Sequence, residues 1–153
     1  MNELLSKTLP DLLRDLPGFR LFGICIFVLT IKMYVLGGMT AAKRASLKVF
    51  LNPEDARGTD TANAEHPDVA RYLRAHRNDL ENVPLFFTLG LVAVLIGAPL
   101  LGLQICFIAF TVVRLLHTIV YLKSLQPWRT LCFAIGATAN TALGIMILIR
   151  VFG

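Results

Sequence analysis

The sequence predicts an all-α integral membrane protein, a four-helix bundle, and three observations carry that prediction. The composition is 56% hydrophobic with a mean hydropathy of +0.66, too apolar for an ordinary soluble domain. The apolar residues fall into four runs, roughly Leu21–Ala42, Val83–Leu101, Leu103–Leu122 and Leu131–Phe152. Each is close to the ~20 residues that a membrane-spanning helix needs. Most of the charge crowds the borders of these runs. The 153 residues read as one four-span membrane domain, with no room for a separate soluble one.

Residues 1–20 place Leu4, Leu5, Leu9, Leu12, Leu13 and Leu16 among Lys7, Asp11, Arg14 and Asp15, the pattern of an interfacial amphipathic segment. It makes a poor signal peptide: Glu3 lies near the start, the apolar run is too long, and no small-residue cleavage site follows. In the first span Lys32 stands alone; it either pairs with a carboxylate on a neighbouring helix, snorkels, or serves function. Gly37 and Gly38 would allow a close helix approach or a bend. Asn52-Pro53-Glu54-Asp55 is a helix-start signal, which gives Asp55 a structural explanation. The polar stretch 57–65 reads as a mobile linker, and His66-Pro67-Asp68 starts the long second helix.

That helix carries Arg71, Arg74, Asn78 and Glu81 at spacings of three, four and three, one polar stripe, with Arg77 beside it. Pro84 follows where the helix enters the membrane, and a proline there removes a backbone donor and usually kinks a helix. Gly97-Ala98-Pro99 closes a tight turn. The third span aligns Arg114, His117 and Tyr121 on one face. With Leu122 at the border, Arg114 lies about 12 Å deep at ~1.5 Å per residue and must face protein or a watery cavity. His117 suits either a satisfied core histidine or a site-lining one. Trp128 reads as an interfacial anchor. In the fourth span Gly136, Asn140 and Gly144 form a small-residue packing face, with Asn140 as an interhelical hydrogen bond.

The net charge of +5 is informative once placed. Lys43, Arg44, Lys48, Arg57, Arg71, Arg74, Arg77, Lys123 and Arg129 fall on one side of the membrane, against Lys7, Arg14, Arg20 and Arg150 on the other. That bias puts the long loop and helix start at 43–77 in the cytoplasm. Nucleic acid is not expected as a partner, because the basic residues sit at a membrane border. Cys25, Cys106 and Cys132 all fall inside apolar spans without metal-ligand spacing, so buried apolar packing is expected and no metal. No Ser-His-Asp arrangement or Gly-rich phosphate loop appears.

The two polar stripes lie toward the same membrane border and can converge. Arg71, Arg74, Arg77, Arg114 and Arg129 would then face Asn78, Tyr121 and the single carboxylate Glu81. This set suits a small zwitterion: arginine forks hold carboxylates and Glu81 receives an ammonium. An internal salt-bridge network, with Glu81 and Asp79 neutralising arginines, leaves arginines in excess on this count.

The run Arg74-Ala75-His76-Arg77-Asn78-Asp79-Leu80-Glu81-Asn82 resembles the signature of a known family, the membrane-associated proteins in eicosanoid and glutathione metabolism. The likeness is to its microsomal glutathione transferase and prostaglandin E synthase branch. Asn52-Pro53-Glu54-Asp55, Arg114-Leu115-Leu116-His117-Thr118 with Tyr121, and Pro127 with Arg129 are similar to other motifs of that branch, in the same order. The likeness runs roughly from Lys32 to Thr130.

It implies a homotrimer of four-helix subunits with glutathione at the subunit interfaces. Arg74, Arg77, Asn78, Glu81, His117 and Tyr121 would bind glutathione, and Arg44 would reach one held by the neighbouring subunit. Arg129 would stabilise the thiolate, and Asp55 and Thr130 match positions implicated in catalysis.

Four departures stand out: Thr130 replaces the synthase's serine, Phe133 its tyrosine, Ala70 a frequent acid, and Ala56 the reactive cysteine of the liver-type transferase. The resemblance thus implies a glutathione transferase, with peroxidase activity, acting on hydrophobic electrophiles or lipid peroxides in the bilayer. A glutathione-dependent prostaglandin-endoperoxide isomerase and a non-catalytic lipid-binding scaffold are the alternatives. The membrane is either endoplasmic reticulum or bacterial inner membrane.

Overall fold

The computed structural model describes residues 8–56 and 66–153, and these described residues form six helices. They are α1 Leu9–Asp15, α2 Phe19–Leu47, α3 Pro53–Ala56, α4 Pro67–Leu95, α5 Leu100–Leu122 and α6 Trp128–Phe152. The four long ones are apolar and long enough to cross a membrane. At ~1.5 Å per residue α2 and α4 reach about 44 Å, more than the ~30 Å of hydrocarbon, so both overhang it. The overhang of α4 carries the charged start of the helix, with Arg71 and Arg74.

Central in the bundle are α4 and α5. Each packs on the other and on both α2 and α6, whereas α2 and α6 do not touch. Lipid is as apolar as leucine, so interlocking side chains rather than water exclusion must hold these helices together. The core has an aromatic centre: Phe86 stacks on Phe110 at 4.2 Å and meets Phe107 edge-on at 5.7 Å, and Phe22 joins Phe107 at 5.2 Å. Gly90 admits the Phe22 ring, since a Cβ there would lie 2.5 Å from it. Cys25, Cys106 and Cys132 are free and buried, as expected of small apolar residues.

Helix ends follow local chemistry. His66 caps α4, its Nδ1 accepting from the Asp68 amide at 3.2 Å, with Pro67 in the first turn. Asp11 accepts from the Thr8 amide at 3.2 Å at the start of α1, whose leucines Leu9 and Leu12 are exposed. Asn52 donates to Asp55 at 3.1 Å where α3 starts. The turn between α4 and α5 uses Gly97 at φ +68°. The Gly97 carbonyl accepts two hydrogen bonds from Arg150, at 2.9 and 2.6 Å, which ties the end of α6 to this turn.

Several expectations shift. Leu100 and Leu101 begin α5 rather than ending the second span, because Gly97 and Pro99 stop α4 after Leu95. The helix α4 runs unbroken through Pro84, whose ring is exposed. At Gly37, Gly38 and Gly144 an added Cβ would meet nothing within 4 Å, so none makes a close helix approach within the chain. Gly136 does pack, against Phe110, Val113 and Arg114, and Asn140 donates to the Asn82 carbonyl at 3.4 Å. The expectations for Leu4, Leu5 and Lys7 and for the 57–65 linker lie outside the described residues.

Candidate functional site

Two layers of polar residues lie toward one end of the bundle. The deeper layer centres on Asp79, which is fully buried. Its Oδ2 accepts from Lys32 Nζ of α2 and its Oδ1 from Arg114 Nη2 of α5. Arg114 Nη1 reaches the neighbouring Asn78 Oδ1 at 2.9 Å. Lys32, Asp79 and Arg114 are all buried and lie on three different helices. A buried carboxylate survives only with such partners. The alkyl stem of Lys32 meanwhile lines an apolar groove between α2 and α5, with Ile31, Val35, Leu115 and Ile119.

The outer layer is more exposed. Arg71 Nη1 donates to Ser124 Oγ, joining the start of α4 to the loop after α5. This contact and the Asn78–Arg114 bond fix an antiparallel register, which sets Arg74 and Arg77 at the levels of Tyr121 and His117. Arg74 is exposed and has no hydrogen bond or ion pair among the described residues. Arg77 pairs with Glu81 one turn on, at 3.4 Å, with both side chains largely in the open. His117 is buried, its Nδ1 has no partner, and its ring centroid is 5.5 Å from that of Tyr121. The Arg129 guanidinium lies over the Tyr121 ring, 5.1 Å from its centroid. Arginine only donates, so Gln126 turns its carbonyl oxygen toward Arg129. It accepts there from Nε at 3.1 Å and from Nη2 at 2.7 Å, and its amide nitrogen lies 3.2 Å from Thr130 Oγ1.

The expected residues therefore fall into groups. Asn78, Arg74, Arg77 and Glu81 stand on α4; Asn78 reaches α5 through Arg114, and the other three are exposed. Arg129 and Thr130 open α6 beside Tyr121. Arg44 and Asp55 line a different concavity of about 480 Å³, with Ala41, Phe50 and Glu54. Within one chain none of the α5 and α6 site residues lines it.

The internal network also goes further than the sequence count suggested: Asp79 takes Arg114 and Lys32, and Glu81 takes Arg77. Lys32 is paired with a carboxylate on a neighbouring helix, one of the outcomes its position allowed. Sequence reasoning named Asp79 only as one acid of a network it set aside on counting, and it passed over Gln126 altogether. A lone mid-span lysine was the available signal for Asp79, since it demands a buried acid. Nothing comparable marked Gln126. Among the described residues no group of His, Cys, Asp or Glu is placed to hold a metal.

What this arrangement offers is fixed positive charge at the border of an apolar bundle, with hydrogen-bond donors and one exposed carboxylate. It suits a small polyanion with an ammonium group.

The sequence pattern of the MAPEG family matches residues 22–149. The chain is 36% identical over 141 residues to prostaglandin E synthase of Homo sapiens, covering 90% of this chain and 93% of that protein. It is 37% identical to the Equus caballus prostaglandin E synthase over 135 residues, 86% of each chain. It is 41% identical over 116 residues to microsomal glutathione S-transferase 1 of Rattus norvegicus, covering 71% of this chain and 75% of that one.

Proposed function

The chain belongs to the MAPEG family, and from that premise we propose that it is a multi-pass membrane glutathione transferase. It makes glutathione reactive toward hydrophobic electrophiles that partition into the bilayer, with lipid peroxides as a second substrate class. The observation that carries this reading is the uneven pairing of charge. The buried acid Asp79 is taken up inside the bundle, while Arg74 and Arg129 keep their guanidinium groups at the border without a carboxylate.

Glutathione fits this donor set. It brings two carboxylates, an ammonium and the thiol that does the chemistry. Arg74 and Arg77 supply guanidinium forks for carboxylates, Asn78 supplies amide N–H donors, and Glu81 supplies the acceptor for the ammonium. His117, with its unpartnered Nδ1, and Tyr121 line the α5 side. Arg129 holds positive charge at the head of α6, which favours a thiolate over a thiol of ordinary pKa near ~8.5. Gln126 grips Arg129 and fixes where that charge sits. Thr130 adds a hydroxyl to the same corner. Arg44 and Asp55 complete the site from the neighbouring subunit of a homotrimer, which accounts for their separate concavity.

In this reading the lysine- and arginine-rich border, with the 43–77 segment, faces the cytoplasm. Single cysteines placed there should react with an impermeant maleimide only after the membrane is opened; labelling from outside overturns the orientation.

The deciding experiment adds glutathione to the detergent-solubilised protein and follows thiolate absorbance in the ultraviolet. Appearance of thiolate at neutral pH is expected, and a lipid-binding scaffold would produce none. Turnover of an aryl halide against a prostaglandin endoperoxide then separates the transferase from an endoperoxide isomerase. Phe133 and Thr130 lead us to expect the aryl halide to be preferred.

A further inference from the structure

Asp79 divides its two oxygens between two cations, and this division decides how the adjacent Asn78 is presented. Arg114 can donate but not accept. Its bond to Asn78 therefore fixes the amide oxygen on Arg114 and leaves both N–H donors of Asn78 for another partner. Arg114 meets Asp79 through Nη2 and a single carboxylate oxygen, an orientation that puts Nη1 on Asn78 and leaves Nε without a partner among the described residues. Lys32 occupies the other oxygen.

We propose that Lys32 is a positioning residue for the ligand site: by occupying Asp79 Oδ2 it holds Arg114 in single-point contact with Asp79, the orientation in which Nη1 locks Asn78 as a donor. The ligand atom facing Asn78 is then a hydrogen-bond acceptor, such as a carboxylate or carbonyl oxygen. Without the Lys32 ammonium, the planar guanidinium turns to close on both oxygens of Asp79, the preferred fork geometry of an arginine–carboxylate pair, and the turn carries Nη1 off Asn78. The amide of Asn78 is thereby released to rotate. This rests on the reading of the border as a glutathione site.

Lys32→Met tests it. The variant removes the charge, keeps the length of the stem in the apolar groove, and leaves Asp79 paired with Arg114, so the bundle should still assemble. The KM for glutathione should rise about threefold to tenfold, the scale of one hydrogen bond. The kcat should change by less than about twofold, since the interaction lost is one of ground-state binding. In an Asn78→Ala background the same Lys32→Met change should have no further effect, because its route to the ligand is gone. Asn78→Asp, which presents an acceptor where a donor is needed, should weaken glutathione binding more than Asn78→Ala does.

Three results would overturn the inference: additive losses in the double variant, a Lys32→Met protein that melts earlier with an unchanged KM, or an Asn78→Asp protein that binds better than Asn78→Ala. Wild-type protein that binds no glutathione by calorimetry would instead sink the functional reading, and this inference with it.

Discussion

The two polar layers of this protein both draw on α4 and on arginine and carboxylate side chains, and they do opposite things with them. In the deep layer Lys32, Asp79 and Arg114 are buried and bonded to one another, with Asn78 held alongside. At the border, Arg77 and Glu81 form an exposed pair, Arg74 is unpaired among the described residues, and Arg129 rests on an aromatic ring and an amide. The difference is one of solvent. Deep in the bundle every charge needs a protein partner, because leaving it unpaired costs several kcal/mol. Near water an unpaired arginine costs little and stays available to a ligand.

The sharpest way to break this comparison is at Asp79. Asp79→Asn leaves Lys32 and Arg114 together with no anion, and breaking a buried pair typically costs about 3–5 kcal/mol. Thermal unfolding in detergent should show a large drop in melting temperature, or no folded protein. Near-normal melting would mean that the deep layer does not hold the bundle together.

At the border, binding should suffer and stability should not. Arg74→Ala and Glu81→Gln should each weaken glutathione binding by about 1.5–3 kcal/mol, the value of a charged hydrogen bond. Normal affinity with a lowered melting temperature would move either residue into the structural class.

Arg129 sharpens the contrast through pH. In Arg129→Leu glutathione should stay bound, but its thiol should return toward a pKa near ~8.5, where only about 3% is ionised at pH 7. Turnover at pH 7 should fall by up to about thirtyfold. Because the missing species is the deprotonated one, turnover should recover as pH rises toward ~8.5. An unchanged thiolate titration would remove Arg129 from the chemistry.

The smallest effect on stability is expected at Arg77. Its pairing with Glu81 is exposed and one turn apart, so Arg77→Ala should change stability by no more than about 0.5 kcal/mol in thermal unfolding. A drop like that of Asp79→Asn would erase the distinction between the layers.

The sequence by itself determined the four long helices, because bilayer thickness dictates a run of ~20 apolar residues and these runs are unmistakable. It also determined the helix starts at His66 and Asn52, which depend on neighbouring residues only, and the polar faces of α4 and α5, which follow from helical spacing. It misplaced the boundary after the second span, since Leu100 and Leu101 are as apolar as the residues before the turn.

Only the tertiary structure decided which charges are spent and which are free. Asp79 lies about 100° around the helix from Asn78, at 3.6 residues per turn. That rotation points it at α2 and α5, where Lys32 and Arg114 stand, and leaves Glu81 at the surface. Pairing across helices depends on which faces meet, and neither composition nor periodicity specifies that. The same holds for Gln126, a loop residue whose role exists only because α6 starts with Arg129 turned back over Tyr121.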